Sequence, residues 1–149
     1  MEMFQMKFLV CLPALTLALF LVGCASDPYT KVWITRTVAT PIQDNRIQYE
    51  TGFLPLTLPV SRVSAVRRND RRLKVQVSLE NVITATQVVA YKFEWFDPSG
   101  MAAPGNSWNQ KVVLSGGTLI LESSAPSVKH GNFRLTLRSA QLLKIVQEK

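Results

Sequence analysis

Between residues 87 and 96, Val89, Tyr91, Phe93 and Trp95 fall on every second position, while Lys92 and Glu94 occupy positions between them. Successive side chains of an extended chain point to opposite sides, so this period of two marks a strand with one buried and one wet face. Three aromatic rings on one side of a single strand need an apolar partner surface. A second layer must therefore come from elsewhere in the chain.

That layer is legible nearby. Leu73, Val75, Val77 and Leu79 alternate with Lys74, Gln76, Ser78 and Glu80. Residues 61–68 and 71–81 read as two strands, and Asn69-Asp70 between them predicts a tight hairpin, since both residue types tolerate positive φ. Asp97-Pro98-Ser99-Gly100 predicts a turn. Further strands are expected at 111–114, 118–122 and 133–138, the first two separated by Gly116-Gly117. In the last, Phe133, Leu135 and Leu137 point inward and Arg134, Thr136 and Arg138 outward. Residues 32–38 are β-branched and aromatic, another strand candidate. Residues 140–149 are read as either a short helix or a continuation of the last strand. Short strands with turn signals at intervals near ten residues argue for a sandwich rather than a parallel sheet. The fold class is all-β, an antiparallel β-sandwich, and a buried Trp on a central strand is compatible with an immunoglobulin-like core.

The N-terminus has a different character. Lys7 precedes an uncharged apolar run over residues 8–22, which ends in Leu21-Val22-Gly23-Cys24. A basic residue, a short apolar core and a small-residue cleavage site are the parts of a secretory signal. A spanning helix needs roughly 20 apolar residues, more than this run offers, and Pro13 interrupts it. The final four residues read as a lipobox. Cleavage before Cys24 would leave its thiol as the lipid-bearing N-terminus. Met6-Lys7 would also make a more typical start than Met1-Glu2.

The expected organisation is a signal peptide over 1–23, a lipidated tether and N-terminal arm over 24–59, and a sandwich domain over 60–149. Residues 25–30 span about 20 Å at most. Residues 41–59, punctuated by Pro41, Gly52, Pro55 and Pro59, are read as either an arm laid over the domain or a mobile lead-in. Cys11 and Cys24 are the two cysteines; one leaves with the signal and the other would be acylated, so no disulfide is expected. About 125 residues suffice for a core without such staples.

Charge bears on partners. Without residues 1–23 the chain keeps 16 basic and 9 acidic residues, the same net +7. A basic balance suits nucleic acid, but an exported lipoprotein seldom meets any. Anionic headgroups and cell-wall polymer are the acidic neighbours of that compartment, and a solvated, soluble face is the plainer reading of the charge. A membrane contact through the lipid, with an envelope protein or cell-wall glycan as partner, is the expectation. Ala25 rather than Asp after the cysteine favours the outer membrane, facing the periplasm.

The inner strands carry a family resemblance. Leu73 to Asn81, then Tyr91-Lys92-Phe93-Glu94-Trp95-Phe96-Asp97-Pro98-Ser99-Gly100, Trp108, Ala125-Pro126 and Phe133-Arg134-Leu135 resemble the YcfL-like family. These are small periplasmic lipoproteins of Gram-negative bacteria without an established biochemical role. The resemblance implies an immunoglobulin-like sandwich and supplies no catalytic residues. Its motif reads as structural. Asn81 can bond neighbouring backbone where a strand ends, Asp97 can stabilise the turn that Gly100 completes, and Trp95 and Trp108 fill the core.

Few residues suggest chemistry. His130 is the single histidine and sits in a loop-like stretch, Glu94 and Asp97 point to opposite faces, and no metal-ligand spacing, cofactor motif or nucleophile motif is present. No catalytic residue, metal or cofactor is expected. The one concentrated feature is Arg67-Arg68-Asn69-Asp70-Arg71-Arg72. On a hairpin, Arg67, Arg68, Arg71 and Arg72 would surround one tip and could hold phosphate or carboxylate by forked hydrogen bonds. The plainer reading is a solvated turn whose charges discourage edge pairing. A non-enzymatic envelope module is therefore expected. A wall-acting enzyme and a purely structural module are the alternatives.

Overall fold

The computed structural model describes residues 30–32, 34, 41–141 and 143–145. Among the described residues nine strands and one helical turn follow in order: β1 (Thr30–Val32), β2 (Ile47–Tyr49), α1 (Leu54–Thr57), β3 (Val60–Arg67), β4 (Leu73–Glu80), β5 (Gln87–Phe96), β6 (Asn109–Val113), β7 (Thr118–Ser124), β8 (Asn132–Ser139) and β9 (Leu143–Ile145). One sheet has the order β2-β8-β5-β6 and the other β3-β4-β7. Consecutive strands cross between the sheets from β2 to β3, from β4 to β5, from β6 to β7 and from β7 to β8, giving an immunoglobulin-like sandwich. β1 and β9 form a separate parallel pair.

The alternations seen in the sequence become the two inner faces. Val75, Val77, Leu79, Leu119 and Leu121 come from one sheet, and Val89, Trp95, Phe133, Leu135 and Leu137 from the other. Burial of each such side chain contributes about 1.5–3 kcal/mol. The Trp95 and Phe133 rings lie 5.9 Å apart and the Phe93 and Phe133 rings 6.2 Å apart, both tilted. Trp95 Nε1–H donates to Ser123 Oγ across the sandwich at 2.9 Å, satisfying its one polar atom.

Residues 41–59 are laid into the body. β2 pairs in parallel with β8, Ile47 opposite Leu135. Pro55 sits in the first turn of α1, where its missing N–H costs nothing, and Leu54 and Leu58 on either side are fully buried. Tyr49 stays half-buried and donates its hydroxyl to Leu58 C=O at 3.1 Å. Beneath α1 lies a buried polar network. Gln87 Nε2 donates to Thr57 C=O at 3.0 Å and to Asn81 Oδ1 at 2.7 Å. Asn81 Nδ2 donates to Ala85 C=O at 2.8 Å and Leu114 C=O at 2.9 Å. The role expected of Asn81 at a strand end thus extends to a crosslink between both sheets.

Three expectations change. The hairpin is wider than Asn69-Asp70 suggests. Arg71 N–H bonds Arg68 C=O, Arg68 N–H bonds Arg72 C=O, and the positive φ of 62° belongs to Arg71. This is a turn followed by a left-handed residue, which lets the strands keep their twist. Trp108 is not in the core. It lies half-exposed on the outer face of the four-stranded sheet, with the Arg138 guanidinium carbon 4.0 Å and Lys92 Nζ 5.4 Å from its ring centre. The aromatic run of β5 already fills the inner face, so a further indole is left to stack on cations outside. In the tail, residues 143–145 form β9 on β1 rather than a helix or an extension of β8.

Candidate functional site

Strand directions give the sandwich two distinct ends. β4 runs toward Glu80 and β3 leaves from Val60 at one end, where α1, the 81–86 loop and the 114–117 turn gather. Ile34 bridges to Ile83 there, so the N-terminal chain joins the body at this end. The opposite end collects the β3–β4 hairpin, the 97–100 turn, the 125–131 loop and the lead-in to β2.

The arginine hairpin forms the tip of that second end. Asp70 sits among its cations. Arg72 Nε donates to Asp70 Oδ2 at 2.8 Å and the Arg72 terminal nitrogen lies 2.7 Å from the same oxygen, while Arg68 Nε stands 4.0 Å away. The hydrogen bond from Arg72 holds the Asp70 carboxyl below its usual range. Arg67 donates to Arg71 C=O at 3.1 Å. Arg72 thus pairs with Asp70, Arg68 stands at the limit of contact, and Arg67 is turned to backbone. The ion pairs are exposed and screened by solvent, so their effect is on field and shape.

Between the β2 lead-in, the 97–100 turn and the start of β8 lies a cleft of about 630 Å³. Its walls include Asn45, Arg46, Phe96, Gly131, Asn132 and Arg134. Arg46 lies over the buried Phe133 ring at 4.6 Å and Arg134 over Phe96 at 5.1 Å. Asp44 forks onto Arg46, with contacts of 2.9 and 2.6 Å, and this pairing holds the Asp44 carboxyl below its usual range. Three separate segments build this cleft, so no local pattern announces it. The outward alternation of β8 marks Arg134 alone.

The groups nearest to catalytic chemistry have structural partners. His130 is buried, with Nδ1 2.8 Å from Ser127 Oγ inside the 125–131 loop. Asp97 Oδ1 accepts from Ser99 N–H, Ser99 Oγ–H and Met101 N–H at 3.0, 2.6 and 3.0 Å. The Ser99 hydroxyl is the largest cause of its lowered pKa. Glu94 Oε1 lies 3.3 Å from Lys92 Nζ. Among the described residues no three His, Cys, Asp or Glu side chains group as metal ligands, and no helix is long and apolar enough to cross a membrane. Cys24, the lipobox, the signal peptide and Trp33 lie outside the described residues.

A family model described as "Protein of unknown function (DUF1425)" matches residues 44–139. Among solved structures, the Campylobacter jejuni protein cj0090 aligns with a TM-score of 0.56 at 22% identity, over 64% of this chain and 99% of that one. A DUF1425 family member from Shewanella sp. pv-4 aligns with a TM-score of 0.50 at 21% identity, over 56% of this chain and 78% of that one. At such identities the likeness is one of fold. No curated protein matches the chain.

Proposed function

The chain belongs to the DUF1425 family of proteins of unknown function, and from that premise we propose that it is a YcfL-like, lipid-anchored envelope protein that works by binding rather than by catalysis. Acylation at Cys24 places it on the periplasmic face of the outer membrane. Each buried CH₂ contributes about 0.8 kcal/mol, so two or three acyl chains make attachment effectively permanent. The partner is another envelope component with an anionic surface, a protein or cell-wall glycan.

One observation carries the reading. Ile34, ten positions after Cys24, bridges to Ile83 at one end of the sandwich, whereas Arg67, Arg68, Arg71 and Arg72 crown the opposite end of β3 and β4. A module tethered at one pole presents its cations at the other, away from its own bilayer, and the tether raises local concentration for a partner there. The structural engagement of His130, Asp97 and Glu94 supports binding over wall hydrolysis.

The test uses full-length protein in its native envelope. Radiolabelled palmitate enters the wild type and not Cys24→Ala. Crosslinking in intact cells captures an envelope component whose yield falls in the fourfold Arg67/Arg68/Arg71/Arg72→Ala variant. An unlabelled protein, or capture indifferent to the four arginines, overturns the reading. Cell-wall turnover that depends on His130 would favour the enzyme alternative instead.

A further inference from the structure

β2 is cut short by a specific device, and this leaves β8 with an open edge inside the distal cleft. Leu135 N–H donates to Arg46 C=O at 2.8 Å and Leu137 C=O accepts from Glu50 N–H at 2.9 Å. On β8 the odd-numbered backbone groups therefore face β2. Ala140 N–H, at an even position, turns the other way and bonds Val88 C=O on β5. By this alternation the N–H and C=O of Phe133 also face the β2 side. Were β2 one step longer, Arg46 N–H would reach Phe133 C=O. It donates to Asp44 Oδ1 at 3.0 Å instead, and Ile47 N–H closes the turn on Asp44 C=O at 2.9 Å. Among the described residues Phe133 N–H is met only by the adjacent Asn132 Oδ1, at 2.9 Å, a local bond that an incoming carbonyl can replace.

The surroundings suit an extended chain. The open edge borders the 630 Å³ cleft, and a Cβ placed on Gly131 would meet nothing within 4 Å. Asn45 and Asn132 offer amides. Arg134 lies over Phe96 with its guanidinium carbon 5.1 Å from the ring centre, and its terminal nitrogen stands 4.0 Å from Glu94, with the side chain 45% exposed. A stacked guanidinium keeps its in-plane donors free for a carboxylate. The Asp97 carboxylate on the same wall is turned inward to its own turn.

We propose that this cleft binds an extended peptide segment bearing a carboxylate, which continues the line of β2 along β8 and sets its carboxylate on Arg134. Main-chain bonds to Phe133 supply affinity and Arg134 supplies selection, the division of labour usual in strand addition. The inference is independent of lipid at Cys24 and of the arginine hairpin.

The test uses the full chain in detergent micelles with two pools of fluorescein-labelled hexapeptides rich in β-branched residues. One pool carries Asp or Glu and the other the corresponding amides. The acidic pool is expected to bind at least about tenfold more tightly, to shift the Phe133 amide resonance, and to lose at least about tenfold in affinity with Gly131→Phe and with Arg134→Gln. The Phe133 amide shift, which binding at the hairpin tip would not produce, separates this site from the hairpin. Retained Trp95 fluorescence certifies the fold of each variant, and Gly131→Ala, with a smaller side chain, shows an intermediate loss. Equal binding of both pools, no binding by either, affinity unchanged by Gly131→Phe, or a Phe133 shift produced by peptide-free glycan strands instead overturns the proposal.

Discussion

Gln87 and Asn81 share a hydrogen bond of 2.7 Å in the fully enclosed floor of the sandwich. They stand on different sheets, Gln87 opening β5 and Asn81 following β4. Asn81 spends both ends of its amide there. Oδ1 accepts from Gln87 and from Ile83 N–H, and Nδ2 serves the carbonyls of Ala85, Val113 and Leu114. No buried side-chain polar atom among the described residues is left without a partner. A satisfied network of this kind specifies how the sheets meet, and a partly satisfied one is worse than an apolar core.

Asn81→Leu is therefore expected to cost about 3 kcal/mol, because it strands several buried partners at once. Gln87→Leu removes fewer bonds and should cost about 2 kcal/mol. Urea titration checks both. The midpoint should fall with the slope unchanged, the mark of a lost native interaction rather than a changed unfolded state.

Trp95 and Trp108 should separate cleanly, since one indole is enclosed and hydrogen-bonded and the other stacks on cations outside. On a Trp33→Phe background, Trp95→Phe is expected to remove the blue-shifted emission and cost about 1–2 kcal/mol. Trp108→Phe should remove the iodide-quenchable emission and cost under about 1 kcal/mol.

Arg71 carries a φ of 62° at the hairpin, a conformation that costs a side-chain-bearing residue about 1–2 kcal/mol. Part of that gain is offset by the greater chain freedom of glycine when unfolded. Arg71→Gly should raise stability by about 0.5–1 kcal/mol, read as a higher thermal midpoint. A lower midpoint would mean that the Arg71 side chain itself holds the tip.

Acid should loosen the distal end first. The carboxyls of Asp44, Asp70 and Asp97 are each held below the ordinary value of 3.8 by hydrogen bonds from Arg46, Arg72 and Ser99 respectively. These groups are ionised in the folded chain, so their stabilisation is complete above the ordinary value and is lost as pH falls through the depressed values below it. The thermal midpoint should drop as pH is lowered beneath about 4. Asp97→Asn should reduce both the midpoint at neutral pH and the steepness of that drop.

The strand content was legible because a period of two is a local property, written within each strand. Leu73 to Glu80 and Phe133 to Arg138 show which side chains go inward, and the structure places β4 and β8 accordingly. Asp97 to Gly100 also folds as its residue types demand. Periodicity reports a face, however, and is silent on what covers it. Trp108 has the composition of a core residue and lies outside because β5 had already filled the inner layer.

The rest needed the tertiary structure. Gln87 meets Thr57 across 30 residues, and β2 finds β8 in a parallel register that no turn between them dictates. The distal cleft joins Arg46, Phe96 and Arg134 from three segments. Alone, the sequence determined a two-faced all-β chain, an uncharged apolar run ending near Cys24 and a knot of arginines in one turn. Sheet order, the truncated edge beside Phe133 and the separation of the two poles arise only when distant strands pair. Such pairing is decided by the joint burial of many side chains, which no short window of residues contains.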